Sequence, residues 1–151
     1  MTAPSSISVT STAFSDGGTI PGKYTCTGED VSPPLAWTGV PPNAEALAIV
    51  VDDPDAPRGT FTHWVLLDVE ADVASIAEGQ LPPGATQAKN SAGKASYFGP
   101  CPPSGTHHYR FTIYALSEAT ALPNGAKLDE ALKAIDAKSI SRGRLTALYS
   151  H

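Results

Sequence analysis

Cysteine is nearly absent from this chain: Cys26 and Cys101 are its two. Two cysteines cannot build a disulfide scaffold, and neither C-x-x-C nor zinc-finger spacing occurs. The residues alone read as two reduced, partly buried thiols. Charge is also sparse, at 17% of residues, and its balance is acidic, with a formal net charge of -5. Nucleic acids and anionic membrane surfaces need a basic footprint, so neither is an expected partner. No apolar run approaches the ~20 residues that span a bilayer, which excludes stable membrane insertion by a helix. Residues 1–6 carry no basic cluster and lead into no apolar stretch of signal-peptide length, so the chain reads as cytoplasmic with a flexible N-terminus. Internal repeats, low-complexity tracts and linkers are likewise missing.

What is present favours strands. A length of 151 residues suits one core, and residues 1–151 read as a single domain. Hydrophobic residues make up 41%, and 14 prolines with 13 glycines point to short strands and many turns. Residues 7–14, 46–52, 62–69, 108–116 and 145–149 read as strands, with turns at Asp16-Gly17-Gly18 and Pro21-Gly22. Over residues 127–137 the apolar period changes: Leu128, Leu132 and Ile135 fall on one helical face, behind Asp129 and Glu130 at the dipole's positive end. A mainly β fold follows, a β-sandwich with peripheral helices. Residues 80–106 show little periodicity, and so long a loop in a small domain is expected to be functional.

Two segments carry the chemistry. Val51-Asp52-Asp53-Pro54-Asp55-Ala56-Pro57 is followed by Phe61-Thr62-His63-Trp64, and Tyr97-Phe98-Gly99-Pro100-Cys101-Pro102-Pro103 leads through Ser104-Gly105-Thr106 into His107-His108-Tyr109. Proline fixes φ and removes a donor, so such loops hold side chains in one geometry with little further entropy loss. By the two-residue period of a strand, Asp53 shares a face with Leu47, Ile49 and Val51. His63 shares one with Val65 and Leu67, and His107 and Tyr109 share one with Phe111, Ile113 and Ala115. His107 and His108 point oppositely, which makes His107 the pocket candidate and His108 a surface residue. Asp53 either accepts from amides of the turn at residues 54–59 or accepts from an imidazole, holding its tautomer and raising its pKa. An imidazolium at His63 or His107, with the Tyr109 hydroxyl, would offer donors to an anion, whose affinity would rise as pH falls through ~6.5. Trp37 and Trp64 read as packing, and Arg110, Lys89 and Lys94 as solvated charge.

These boxes, with Tyr24-Thr25-Cys26-Thr27-Gly28, Ser32-Pro33-Pro34-Leu35 and Trp37, resemble the phosphatidylethanolamine-binding protein family in its shorter bacterial and archaeal branch, the Raf kinase inhibitor-like proteins. The resemblance runs from about residue 14 to residue 149. It implies that family's β-sandwich of antiparallel and mixed strands with a few peripheral helices. It also implies a shallow anion pocket lined by Asp53, His63, His107 and Tyr109, with Pro57 and Pro102 as walls. Asp55, Trp64, Gly99 and Cys101 would support it, and because Cys26 and Cys101 both sit in these boxes, the resemblance implies redox-dependent pairing of the two as the alternative to free thiols. Thr106 runs straight into His107, where eukaryotic relatives insert two residues; bacterial relatives share the shortening. The implied function is a non-enzymatic module that binds phosphate-like anions, such as a phosphoethanolamine head group or a phosphorylated partner. Regulation of a kinase or protease and a homodimer are implied too, with no cofactor and no metal.

Two other readings compete. Cys101 beside His63 or His107 could act as the nucleophile of a hydrolase or transferase, since a thiol needs a base within reach. Its neighbours are prolines and no amide-rich turn supplies an oxyanion hole, which weighs against catalysis. His63, His107 and Asp53 are acceptable zinc ligand types, though no local ligand spacing joins them.

Overall fold

A computed structural model describes residues 4–150. Their strands form two sheets, and successive elements are β1 (Ser8–Thr10), β2 (Leu35–Thr38), β3 (Ala46–Asp53), β4 (Phe61–Glu70), β5 (Ser75–Ile76), β6 (Thr86–Gln87), β7 (Thr106–Leu116), α1 (Leu128–Lys138) and β8 (Ser139–Ser150). The large sheet has the order β6-β4-β3-β7-β8, and the small one β1-β2-β5. Paired strands are antiparallel, and an isolated bridge from Thr19 to Leu148 is parallel.

Alternation gives the large sheet two apolar faces. Leu47, Ile49, Val51, Trp64, Leu66, Phe111 and Ile113 pack against Val9, Leu35 and Trp37 of the small sheet, forming the main core. On the reverse face Ala48, Val50, Val65, Leu67, Tyr114 and Leu116 pack against Ala131 and Ile135 of α1. The helix is thus held by one apolar stripe, and Asp129 and Glu130 in its first turn and Lys138 in its last suit its dipole.

Two register shifts break the simple period of β4. Val51 pairs with Trp64 but Asp52 with Thr62, so one extra residue, His63, is accommodated at that point. His63 consequently lies on the main-core side with Trp64, while Val65 and Leu67 face the helix. The parity that joined His63 to Val65 and Leu67 is therefore corrected by a bulge, which sequence alternation does not reveal. The second shift lies near Asp68, whose φ is 57° and whose carboxylate accepts from the amides of Thr120 and Ala121.

Other boundaries moved for physical reasons. The first strand is shorter than residues 7–14, and the last far longer than residues 145–149. Gly143 hides the pattern of β8: a Cβ there would meet the carbonyl of Ile7, so the crossing chain requires glycine. Part of the N-terminus expected to be flexible is held, since Pro4 accepts from the Arg142 amide and Ser6 binds the Ser141 hydroxyl. Residues 1–3 of that expectation lie outside the described residues. The loop at residues 80–106 contains the short β6.

The cysteines are corrected as well. Cys26 and Cys101, 75 positions apart, form a disulfide with their Cα atoms 5.5 Å from each other. The cause is loop docking: the Cys26 amide donates to the Pro100 carbonyl at 3.1 Å and the Gly99 amide to Asp30 Oδ1 at 2.8 Å. A Cβ on Gly99 would strike Asp30 and the Tyr24 carbonyl. Proximity across such a span is invisible to local spacing.

Candidate functional site

At one end of the main-core face, the ends of β3, β4 and β7 converge on a cavity of about 270 Å³. Asp53, His63, His107 and Tyr109 line it, with Pro57 and Pro102 among its walls. All six residues expected at the site are therefore brought together. Phe61, Phe98, Ala56 and Pro103 also line the cavity and were missed; the phenylalanines sit inside the quoted boxes but read as ordinary core residues.

The polar groups are arranged through their backbones. Asp53 is 3% exposed, and its two oxygens divide their tasks: Oδ1 accepts from the Asp55 amide at 2.7 Å and Oδ2 from His107 Nδ1 at 2.6 Å. Asp53 thus accepts both from an amide of its own turn and from an imidazole, whose Nδ1–H tautomer it holds. His63 Nδ1 donates to the Phe98 carbonyl at 2.6 Å, because a carbonyl can only accept. Each imidazole accordingly commits Nδ1 to the protein and keeps Nε2 for a ligand. The His63 ring meets Phe61 at 4.8 Å and the edge of Tyr109 at 5.4 Å between centroids.

Burial dominates the His63 titration and pushes its pKa below the ordinary value, against the opposing pull of the Phe98 carbonyl and Asp53. The Asp53 carboxylate does pull the His63 pKa upward, as expected of such a neighbour, but burial outweighs it. Burial likewise pushes the Tyr109 phenol upward, with help from Asp53, so it stays a protonated donor. Its hydroxyl is buried and has no hydrogen-bond partner. A satisfied core would leave no such group, and its presence in a cavity beside two imidazoles marks a place where a ligand acceptor fits.

The supporting residues act from outside. Asp55 Oδ2 accepts from both the His108 amide and its Nδ1 at 2.7 Å, which ties the first loop to β7 and holds this carboxyl below its usual range. His108 is exposed, as its phase implied. Trp64 lies in the core and donates Nε1–H to Gln87 at 2.7 Å, and Gly99 permits the loop docking described above. Arg110 is on the opposite face, paired bidentately with Asp52 at 2.7 and 2.9 Å. Cys101 borders the cavity as half of a disulfide, so the thiolate that a Cys101 hydrolase or transferase needs is not there. Among the described residues no group of three His, Cys, Asp or Glu side chains is placed to hold a metal ion.

A β-sandwich that gathers two oriented imidazoles and an unpartnered phenol at its sheet end has the architecture of a binding protein. The chain belongs to the phosphatidylethanolamine-binding protein family, whose model matches residues 10–150. It is 44% identical over 142 residues to a UPF0098 protein of Methanothermobacter thermautotrophicus, across 91% of this chain and 94% of that one. Among solved structures, CT736 of Chlamydia trachomatis superposes with a TM-score of 0.90 at 36% identity, covering 97% of this chain and 98% of its own. Escherichia coli YbcL, described as a new member of the mammalian family, gives 0.91 at 29% identity, with 97% and 99% covered.

Proposed function

We propose that the cavity binds the phosphate group of a small anion, free or carried by a head group such as phosphoethanolamine, without chemical conversion. The observation that supports this is the Tyr109 hydroxyl, a buried donor without a partner beside the open Nε2 atoms of His63 and His107. A phosphate oxygen accepts from the phenol. A neutral imidazole accepts from a P–OH group, whereas an imidazolium donates to P–O⁻. Either way one proton accompanies the anion, so affinity rises as pH falls, and the depressed His63 pKa shifts the imidazolium route below ~6.5. The apolar walls exclude water, which strengthens each of these bonds. The reading needs neither a homodimer nor a kinase or protease target.

Calorimetric titration with phosphate, O-phosphoethanolamine and sulfate at about pH 6 and about pH 8 tests it. Phosphate and O-phosphoethanolamine should bind more tightly at the lower pH, and Tyr109→Phe should weaken both about tenfold, near 1.4 kcal/mol, while unfolding no more easily. Sulfate has no proton to share, so its binding should be confined to the acid side and lost in His63→Ala. Absence of saturable heat with wild type at millimolar ligand would remove the proposal's basis.

The disulfide also supports a compartment more oxidising than the cytoplasm, because persistent disulfides are rare among reduced thiols. Alkylation of intact host cells, followed by counting free thiols on the protein, decides this; modification of both cysteines would return it to the cytoplasm.

A further inference from the structure

The face of the large sheet that carries α1 is not fully covered. Alongside the N-terminal half of the helix runs a groove of about 500 Å³, with Asp52, Arg110, Arg142 and Arg144 on its floor and Leu128 and Leu132 on its wall. A second hollow of about 520 Å³ continues it, sharing Ser91, Leu128 and Leu132 and adding Lys89 and Lys127. Three of the chain's four arginines meet here. Together the two hollows hold five of its ten basic residues but only two of its fifteen acidic ones, in a protein of net charge -5.

Regular structure fixes this collection. Arg142 and Arg144 alternate along β8 and so share a face, opposite Tyr114 and Thr112 of β7. Thr112 accepts from Arg144 Nε at 2.9 Å, and Asp52 holds the Arg110 fork. At the far end the Lys89 amide donates to the Ala126 carbonyl at 2.9 Å, which sets Lys89 beside Lys127. Lys127 is the N-cap residue of α1 and makes no side-chain cap bond. A lysine at an uncapped helix start is electrostatically disfavoured there, and a bound anion would reverse that penalty.

Shape selects the occupant. From β8 to β4 the groove crosses three strand spacings, ~14 Å, before reaching the Ser91 and Lys89 segment beyond. An extended chain advances ~3.3 Å per residue, so five or six residues, roughly, span it. A lone phosphate would fill one corner, and a polyphosphate or nucleic acid would gain nothing from the leucine wall. We propose that this groove docks an extended acidic peptide segment of a partner protein, its carboxylates toward Arg142, Arg144 and Lys127 and an apolar side chain against Leu128 and Leu132. This surface lies on the reverse of the sheet from the anion cavity and does not depend on it.

Fluorescence anisotropy with a labelled hexapeptide of glutamate and two leucines tests the proposal. Binding should saturate, weaken with added salt, and fall about tenfold in Arg144→Glu and in Lys127→Glu, both at exposed positions with circular dichroism checking their folding. Arg58→Glu, altering the arginine outside the groove, should leave affinity unchanged. Equal losses in Arg58→Glu would show a general charge effect and overturn the site. So would a peptide with serine in place of both leucines binding as well as the original, or a polyphosphate of matched charge binding more tightly than the peptide.

Discussion

His63 buries an imidazole in its neutral form, and that choice is written into stability. Its folded pKa lies below the ordinary 6.5 of the unfolded chain, so the unfolded state takes up the proton first as pH falls. The His63 contribution is complete above ~6.5 and is lost progressively as pH drops from there through the folded value. Urea unfolding between about pH 7.5 and pH 5 should therefore show stability falling by at most ~1.4 kcal/mol per pH unit from this residue, with the slope reduced in His63→Asn. An unchanged slope in that variant would assign the loss to other groups. At this scale much of the site was legible: an aspartate, two histidines and a tyrosine next to prolines, with His107 separated from His108 by strand phase. What could not be read was the sign at His63, because burial depends on Phe61 and Phe98 closing around the ring, and nothing local marks those rings as pocket walls.

Among the elements, β3, β4, β7 and α1 were legible because each carries a long apolar period that one face of a sheet or helix must bury. The strands β2, β5 and β6 are too short for a period to register, and the part of β8 before residue 145 is masked by its polar alternation and by Gly143. That glycine yields a prediction at the same scale. Gly143→Ala forces a methyl against the Ile7 carbonyl, where backbone rather than a flexible side chain must yield. The variant should lose about 1–3 kcal/mol in chemical denaturation, while Gly93→Ala, where nothing lies within reach of the new Cβ, should lose less and only through its positive φ. A loss at Gly143 no larger than that at Gly93 would show that the Ile7 backbone gives way to the methyl and that crowding does not require glycine there. The bulge at His63 belongs here too: one added residue sends a histidine to the face its parity denied it.

At the scale of the molecule, the disulfide closes a long loop between the segment after the 3-10 turn at Gly22–Tyr24 and the cavity's Pro-rich wall. Chain-entropy reasoning for a loop of this size gives roughly 4.5 kcal/mol, an upper figure because the unfolded chain retains structure. Replacing both cysteines by serine should lower denaturant stability by up to that amount and weaken phosphate binding, as Pro102 loses its tether. Full phosphate affinity in the double variant would show that backbone docking alone holds the wall. The opening segment has a different relation to the whole. Ile7, Gly17 and Ile20 donate backbone bonds to Arg142, Thr146 and Leu148, and Pro4 and Gly18 accept from Arg142 and Leu148. On a ribosome these early residues emerge long before their partners exist, so the order of synthesis and the order of assembly run apart. Closure of the sandwich must wait for β8, and until then the segment lacks its strand partner, a period in which a chaperone or a neighbouring nascent copy has its chance.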